Sequence, residues 1–120
     1  MIDLEASAKA NTKLVLNNDL GEQVIIGFDA TANQYYIDRK QAGNVSFEKG
    51  FAARHTAPRF GIDPLLKMTL VVDATSVEFF ADDGLTVMTS IFFPTMPFND
   101  LQGEGTRNNL LSFKYFKLIP

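Results

Sequence analysis

The chain has 120 residues, a formal charge of −3 and 46% hydrophobic residues. This length specifies one domain, residues 1–120, with enough apolar content for a packed core rather than a disordered polymer. The eleven Lys and Arg are scattered, no apolar run approaches the ~20 residues of a membrane helix, and there is no Cys; nucleic-acid binding, helical membrane insertion, disulfides and thiolate chemistry are therefore not expected.

Ile2, Leu4, Ala6 and Ala8 alternate with Asp3, Glu5, Ser7 and Lys9, a period of two that predicts a half-buried strand. The same residues lack a basic stretch followed by an apolar one, so they do not read as a signal peptide. Residues 13–16 form a second short strand, ended by the turn-rich Asn17-Asn18-Asp19-Leu20-Gly21. Residues 23–28 and 34–39 read as a hairpin around a loop at 29–33. Tyr35, Ile37 and Arg39 share one face of the returning strand, Tyr36 and Asp38 the other.

Residues 41–64 sustain no period and read as a long loop packed down by Val45, Phe47, Phe51 and Phe60. Leu66, Met68, Leu70 and Val72 then form a strand face opposite Lys67, Thr69, Val71 and Asp73. Val77 and Phe79 alternate with Glu78 and Phe80, and Asp82-Asp83-Gly84 is a hairpin turn, because Asp tolerates and Gly freely adopts the left-handed region. Residues 86–93 are apolar on both faces, as in a strand buried between layers. Residues 94–109 read as a second long loop. Residues 110–118 form a last strand, with Phe113 and Tyr115 on one face and Phe116 and Leu118 on the other.

No window holds a helical period, and about eight or nine short strands with Gly, Asn and Asp between them predict an all-β, two-sheet antiparallel sandwich of the concanavalin A-like jelly-roll kind. The terminal strands are expected to pair. Val72, Val77, Phe79, Val87 and Ile91 are the expected core.

Chemistry is sparse. His55 is the one histidine, which leaves a triad or a metal set without partners. A glycosidase needs two carboxylates, and no Glu-x-Asp-x-Glu run places them on one strand face. Asp29, Asp82 and Asp83 lack the spacing of a calcium loop. No catalytic residue, metal site or cofactor is assigned. Tyr35 and Tyr36 are the candidates for stacking on a sugar, although adjacent strand residues face opposite ways and only one could serve. With eleven Phe and no Trp, most rings belong in a core or an interface. Phe47, Phe51, Phe60, Glu78 and Phe80 are the candidate inter-domain face.

Several stretches carry a resemblance. Tyr36-Ile37-Asp38-Arg39, Gly43-Asn44-Val45-Ser46-Phe47 with Phe51, Ala57-Pro58, the hairpin Leu70 to Gly84 and Ile91-Phe92-Phe93-Pro94 come in the order and spacing of the C-terminal β-sandwich of family-32 glycoside hydrolases, the levanases, inulinases and invertases. The hairpin resembles that family's Val-Asp-x-Ser-Ser-Val-Glu-Val-Phe-x-Asn-Asp-Gly at Val72, Asp73, Ser76, Val77, Glu78, Phe80, Asp83 and Gly84. Ala74-Thr75 stands where Arg-Ser is common, Phe79 where Val is, and Asp82 where Asn is. The family's catalytic elements, Asn-Asp-Pro-Asn, Arg-Asp-Pro and Glu-Cys, are not in this sequence: Asn18-Asp19-Leu20 and Asn99-Asp100-Leu101 lack the Pro.

The resemblance implies a support module of a bacterial levanase or fructan β-fructosidase that is itself inactive. Its partner would be an N-terminal five-bladed β-propeller that hydrolyses β-fructofuranosidic bonds. It also implies a module that in some enzymes mediates a homodimer or shapes the fructan cleft, within a periplasmic or extracellular parent. The rival reading is a carbohydrate-binding module that grips fructan or another glycan by itself.

Overall fold

The computed structural model describes residues 2–41, 54–73, 75–92, 94–96, 98, 100–105, 110–112 and 116–117, the backbone alone at 40, 41, 104, 105, 110–112, 116 and 117. Among them are eleven strands and no helix: β1 (Ile2–Ser7), β2 (Thr12–Asn17), β3 (Gln23–Asp29), β4 (Gln34–Gln41), β5 (Arg54–Pro58), β6 (Leu65–Val72), β7 (Ser76–Ala81), β8 (Thr86–Ile91), β9 (Asp100–Gly105), β10 (Leu110–Ser112) and β11 (Phe116–Lys117). They form a five-stranded sheet in the order β10-β1-β6-β7-β8 and a six-stranded sheet in the order β11-β9-β2-β3-β4-β5. The pairings are antiparallel throughout. The expected all-β sandwich is what the chain forms.

The period of two decides which side chains meet between the sheets. Ile2, Leu4 and Ala6 of β1, Leu66, Met68 and Leu70 of β6, and Val77 and Phe79 of β7 are buried against Leu14 and Leu16 of β2, Val24, Ile26 and Phe28 of β3, and Tyr35 and Ile37 of β4. Each fully buried Leu, Ile or Phe contributes about 1.5–3 kcal/mol relative to exposure. The termini come together as expected: β10 pairs with β1, Glu5 opposite Ser112.

Four details differ from the sequence reading. Residues 54–58, inside the expected first long loop, are the edge strand β5, whose side chains are exposed except for half-buried Ala57. An edge strand with only one covered position has no apolar alternation to show. Residues 100–105, inside the expected second loop, are β9, paired to β2 with Leu101 opposite Leu16. In the expected strand 110–118 the described residues divide between the sheets, β10 joining the first and β11 the second, while Phe113, Tyr115 and Leu118 lie outside the described residues. In β8 the inward residues are Thr86, Met88 and Ser90, while Val87 and Ile91, expected in the core, are 54% and 50% exposed.

The reason for that last inversion is register. Phe79 points inward and pairs with Met88, so the neighbours of Met88 point out. The two inward hydroxyls are satisfied there: Thr86 donates to the Pro58 carbonyl at 3.0 Å, and Ser90 meets the Arg39 guanidinium at 3.5 Å. β8 is an edge strand, not one buried between layers.

Candidate functional site

Tyr35 and Tyr36 project from β4 in opposite directions. Tyr35 is fully buried, its ring 5.1 Å from those of both Phe28 and Phe79. That removes it as a sugar platform. Its hydroxyl donates to Oδ2 of Asp82 at 2.7 Å, and the same oxygen takes the Nε of Arg59 at 3.2 Å. Arg59 and Asp82 side chains are each only 6% exposed. Burial, and then the neighbouring Asp82 carboxylate, push the Tyr35 phenol far above its usual range.

The turn that delivers Asp82 follows from backbone chemistry. Gly84 N–H donates to the Ala81 carbonyl at 3.1 Å around Asp82 and Asp83, which have φ of 54° and 58°. Two consecutive left-handed residues make the primed turn that matches strand twist. The sequence showed this turn but not the buried contacts. Asp82 lies 23 residues from Arg59 and 47 from Tyr35, and no local pattern links them.

Tyr36 lies on the outer face of the second sheet, with the Arg54 guanidinium 3.8 Å from its ring centroid. Its hydroxyl end covers Gly27, the cross-strand partner on β3: a Cβ there would meet the Tyr36 ring and stand 2.6 Å from the Thr12 carbonyl. Burial raises the Tyr36 phenol as well. The ring is already engaged by protein, so sugar stacking on Tyr36 requires Arg54 to move away.

The other candidates scatter. His55 is exposed in β5, opposite Ile37. Glu78 is exposed and Phe80 half-buried on the outer face of the first sheet, Glu78 between Val71 and Thr89, Phe80 between Thr69 and Val87. Phe60 is 64% exposed on the loop after β5. Phe47 and Phe51 lie outside the described residues. The proposed face is thus divided between a sheet face and a sandwich end.

Carboxylates are engaged structurally. Glu22 accepts from the Asn18 side chain at 3.0 Å and from the Thr95 amide and hydroxyl at 2.7 and 3.0 Å. Asp29 accepts the Thr31 and Ala32 amides, and Asp63 the Leu65 amide. Asp3 takes the Thr69 hydroxyl at 2.6 Å beside a shallow depression of about 290 Å³ bordered by Glu5, Lys67 and Asp83. Among the described residues, no three potential metal ligands converge.

Of the stretches that carry the resemblance, 43–47, Phe51, Ala74 and Phe93 lie outside the described residues, and the others fall on the strands and turns described above. Asp38 and Arg39 lie in β4, where Arg39 also donates to the Ile91 carbonyl at 2.8 Å, and the Val72-to-Gly84 run is the β6–β7–turn unit. The sequence profile described as "Glycosyl hydrolases family 32 C terminal" matches residues 1–115. The chain belongs to glycoside hydrolase family 32.

Among relatives of this family-32 domain, the extracellular exo-inulinase of Aspergillus awamori is 32% identical over 103 residues, covering 78% of this chain but 19% of its own length. The levanase of Bacillus subtilis (strain 168) is 34% identical over 70 residues, 58% of this chain and 10% of that protein. The crystal structure of the Aspergillus awamori exo-inulinase superposes with a TM-score of 0.81 at 27% identity, covering 97% of this chain and 23% of the enzyme. Sucrose-6-phosphate hydrolase from Lactobacillus gasseri gives a TM-score of 0.68 at 27% identity, covering 86% of this chain and 21% of that one. The chain therefore spans only part of these enzymes, from 10% of the levanase to 23% of the exo-inulinase structure.

Proposed function

We propose that this chain is the non-catalytic C-terminal support module of a fructan-hydrolysing enzyme of the levanase or β-fructosidase type. It docks against an N-terminal β-propeller that carries the chemistry. One observation carries the reading: the match is to the C-terminal part of family 32, and it spans only 19% of an exo-inulinase. The geometry supports it. Asp82, Glu22, Asp29 and Asp63 accept hydrogen bonds from separate parts of the fold rather than facing a common cleft. The rival carbohydrate-binding reading loses one stacking ring to the core, and the other is occupied by Arg54.

The test is functional. The chain alone should hydrolyse neither sucrose, inulin nor levan, and its addition should raise the thermal midpoint of the separately produced catalytic domain. Turnover by the chain alone that disappears in Glu78→Gln would overturn the proposal. Retention of the chain on fructan affinity gels without any effect on the catalytic domain would install the carbohydrate-binding reading instead.

A further inference from the structure

The two halves of the divided face are physically different. On the outer face of the first sheet, the apolar side chains sit among polar partners. Val71 pairs with Glu78, Ile91 with Ser76, and Phe80 with Thr69 as well as Val87. That is how the solvated face of an antiparallel sheet ordinarily looks. At the sandwich end formed by residues 59–64 and the turn at 82–85 the picture changes. Phe60 is 64%, Ile62 98% and Leu85 59% exposed.

A slack loop would fold such side chains inward; this one is held. Arg59 N–H donates to the Asn33 carbonyl at 3.0 Å, its Nε pairs with buried Asp82 at 3.2 Å, and its other arm reaches the Asp63 carbonyl at 2.5 Å. Asp63 in turn accepts the Leu65 amide at 2.9 Å. Between the two apolar residues, Gly61 lies so close that an added Cβ would stand 2.9 Å from Cγ of Asp82. Tyr35 anchors Asp82 from within the core. The backbone is fixed from below while Phe60 and Ile62 stand in water.

Large apolar side chains on a pre-ordered backbone are the form of an interface anchor, because the ordering cost is met before the partner arrives. We propose that residues 59–64, with Phe60 and Ile62 as anchors, are the surface on which the catalytic domain of the same polypeptide docks. This rests on the support-module reading above. The choice of occupant follows from length: the match covers only 19% of the Aspergillus awamori exo-inulinase and 10% of the Bacillus subtilis levanase, which leaves room for a whole further domain in each.

Titration of the separately produced catalytic domain with this chain tests the surface. Wild type should bind. Ile62→Lys should weaken binding at least about tenfold, with its own melting unchanged because the side chain is 98% exposed. Val87→Lys, on the sheet face, should bind like wild type. Loss of binding in Val87→Lys with Ile62→Lys unaffected would overturn the inference and make the sheet face the docking surface. Failure of the wild-type chain to bind would refute the support-module reading itself, and this inference with it.

Discussion

The hydroxyl of Tyr35 donates to Oδ2 of Asp82 across 2.7 Å, joining β4 in the six-stranded sheet to the β7–β8 turn of the five-stranded one. Arg59 completes the group from the loop between β5 and β6. Removing one partner of a buried charged pair leaves the other uncompensated, at a cost of about 3–5 kcal/mol. Asp82→Ala should therefore destabilise by that amount in urea unfolding. Asp82→Asn should cost less, since Asn keeps the left-handed backbone and an acceptor for Tyr35. Tyr35→Phe removes one hydrogen bond to a charged group and should cost about 1.5–3 kcal/mol. A loss for Asp82→Asn as large as for Asp82→Ala would show that the charge alone, not the acceptor or the turn, carries the contribution.

Phe79 and Phe80 are neighbours with opposite fates. Phe79 is fully buried, so Phe79→Ala should cost about 3–5 kcal/mol. Val87→Ser and Ile91→Ser, at outward positions of β8, should stay within about 1 kcal/mol of wild type. Chemical denaturation of the three variants separates them directly. A large loss in either Ser variant would mean that the outer face of the first sheet is covered in the isolated chain.

Gly27 is required by packing. Gly27→Ala would place a methyl 2.6 Å from the Thr12 carbonyl oxygen, beneath the Tyr36 ring. The predicted cost is about 1–3 kcal/mol. Tyr36→Ala in the same chain should recover only part of it, because the Thr12 carbonyl is backbone and stays in place. Full recovery in the double variant, read from unfolding midpoints, would show that the ring alone excludes the methyl.

Acid should loosen one corner first. The Asn18 side chain holds the Glu22 carboxyl below its usual range; burial opposes this, and the Thr95 amide and hydroxyl add to it. A depressed folded-state value means the contribution is fully present above the unfolded-state value and is lost as pH falls through the folded one. The difference in urea midpoint between wild type and Glu22→Gln should be constant from neutral pH down to about 5 and shrink below it. A difference that grows on acidification would reverse the sign and disprove the assignment.

Alternation by itself determined β1, β3, β4, β6 and β7, because each has one face against the opposite sheet and one toward water, and the terminal pairing followed from the sandwich class. The family resemblance was also legible, in the β6–β7 hairpin and its Asp-Asp-Gly turn. Tertiary structure alone decided the rest. β5 and β9 form through partners distant in sequence, with Tyr35 opposite Ala57 and Leu16 opposite Leu101, and neither segment has a pattern of its own. The apolar alternation of β8 put Val87 and Ile91 inward; pairing of Met88 with Phe79, the Thr86 hydroxyl donating to Pro58 and the Ser90 hydroxyl accepting from Arg39 selected Thr86, Met88 and Ser90 instead. The Tyr35–Asp82–Arg59 group and the exposed Ile62 it helps to hold arise from three separate elements meeting at one end of the sandwich. Sequence encodes periodicity locally, whereas convergence of side chains 23 and 47 residues apart is a property of the folded sheets.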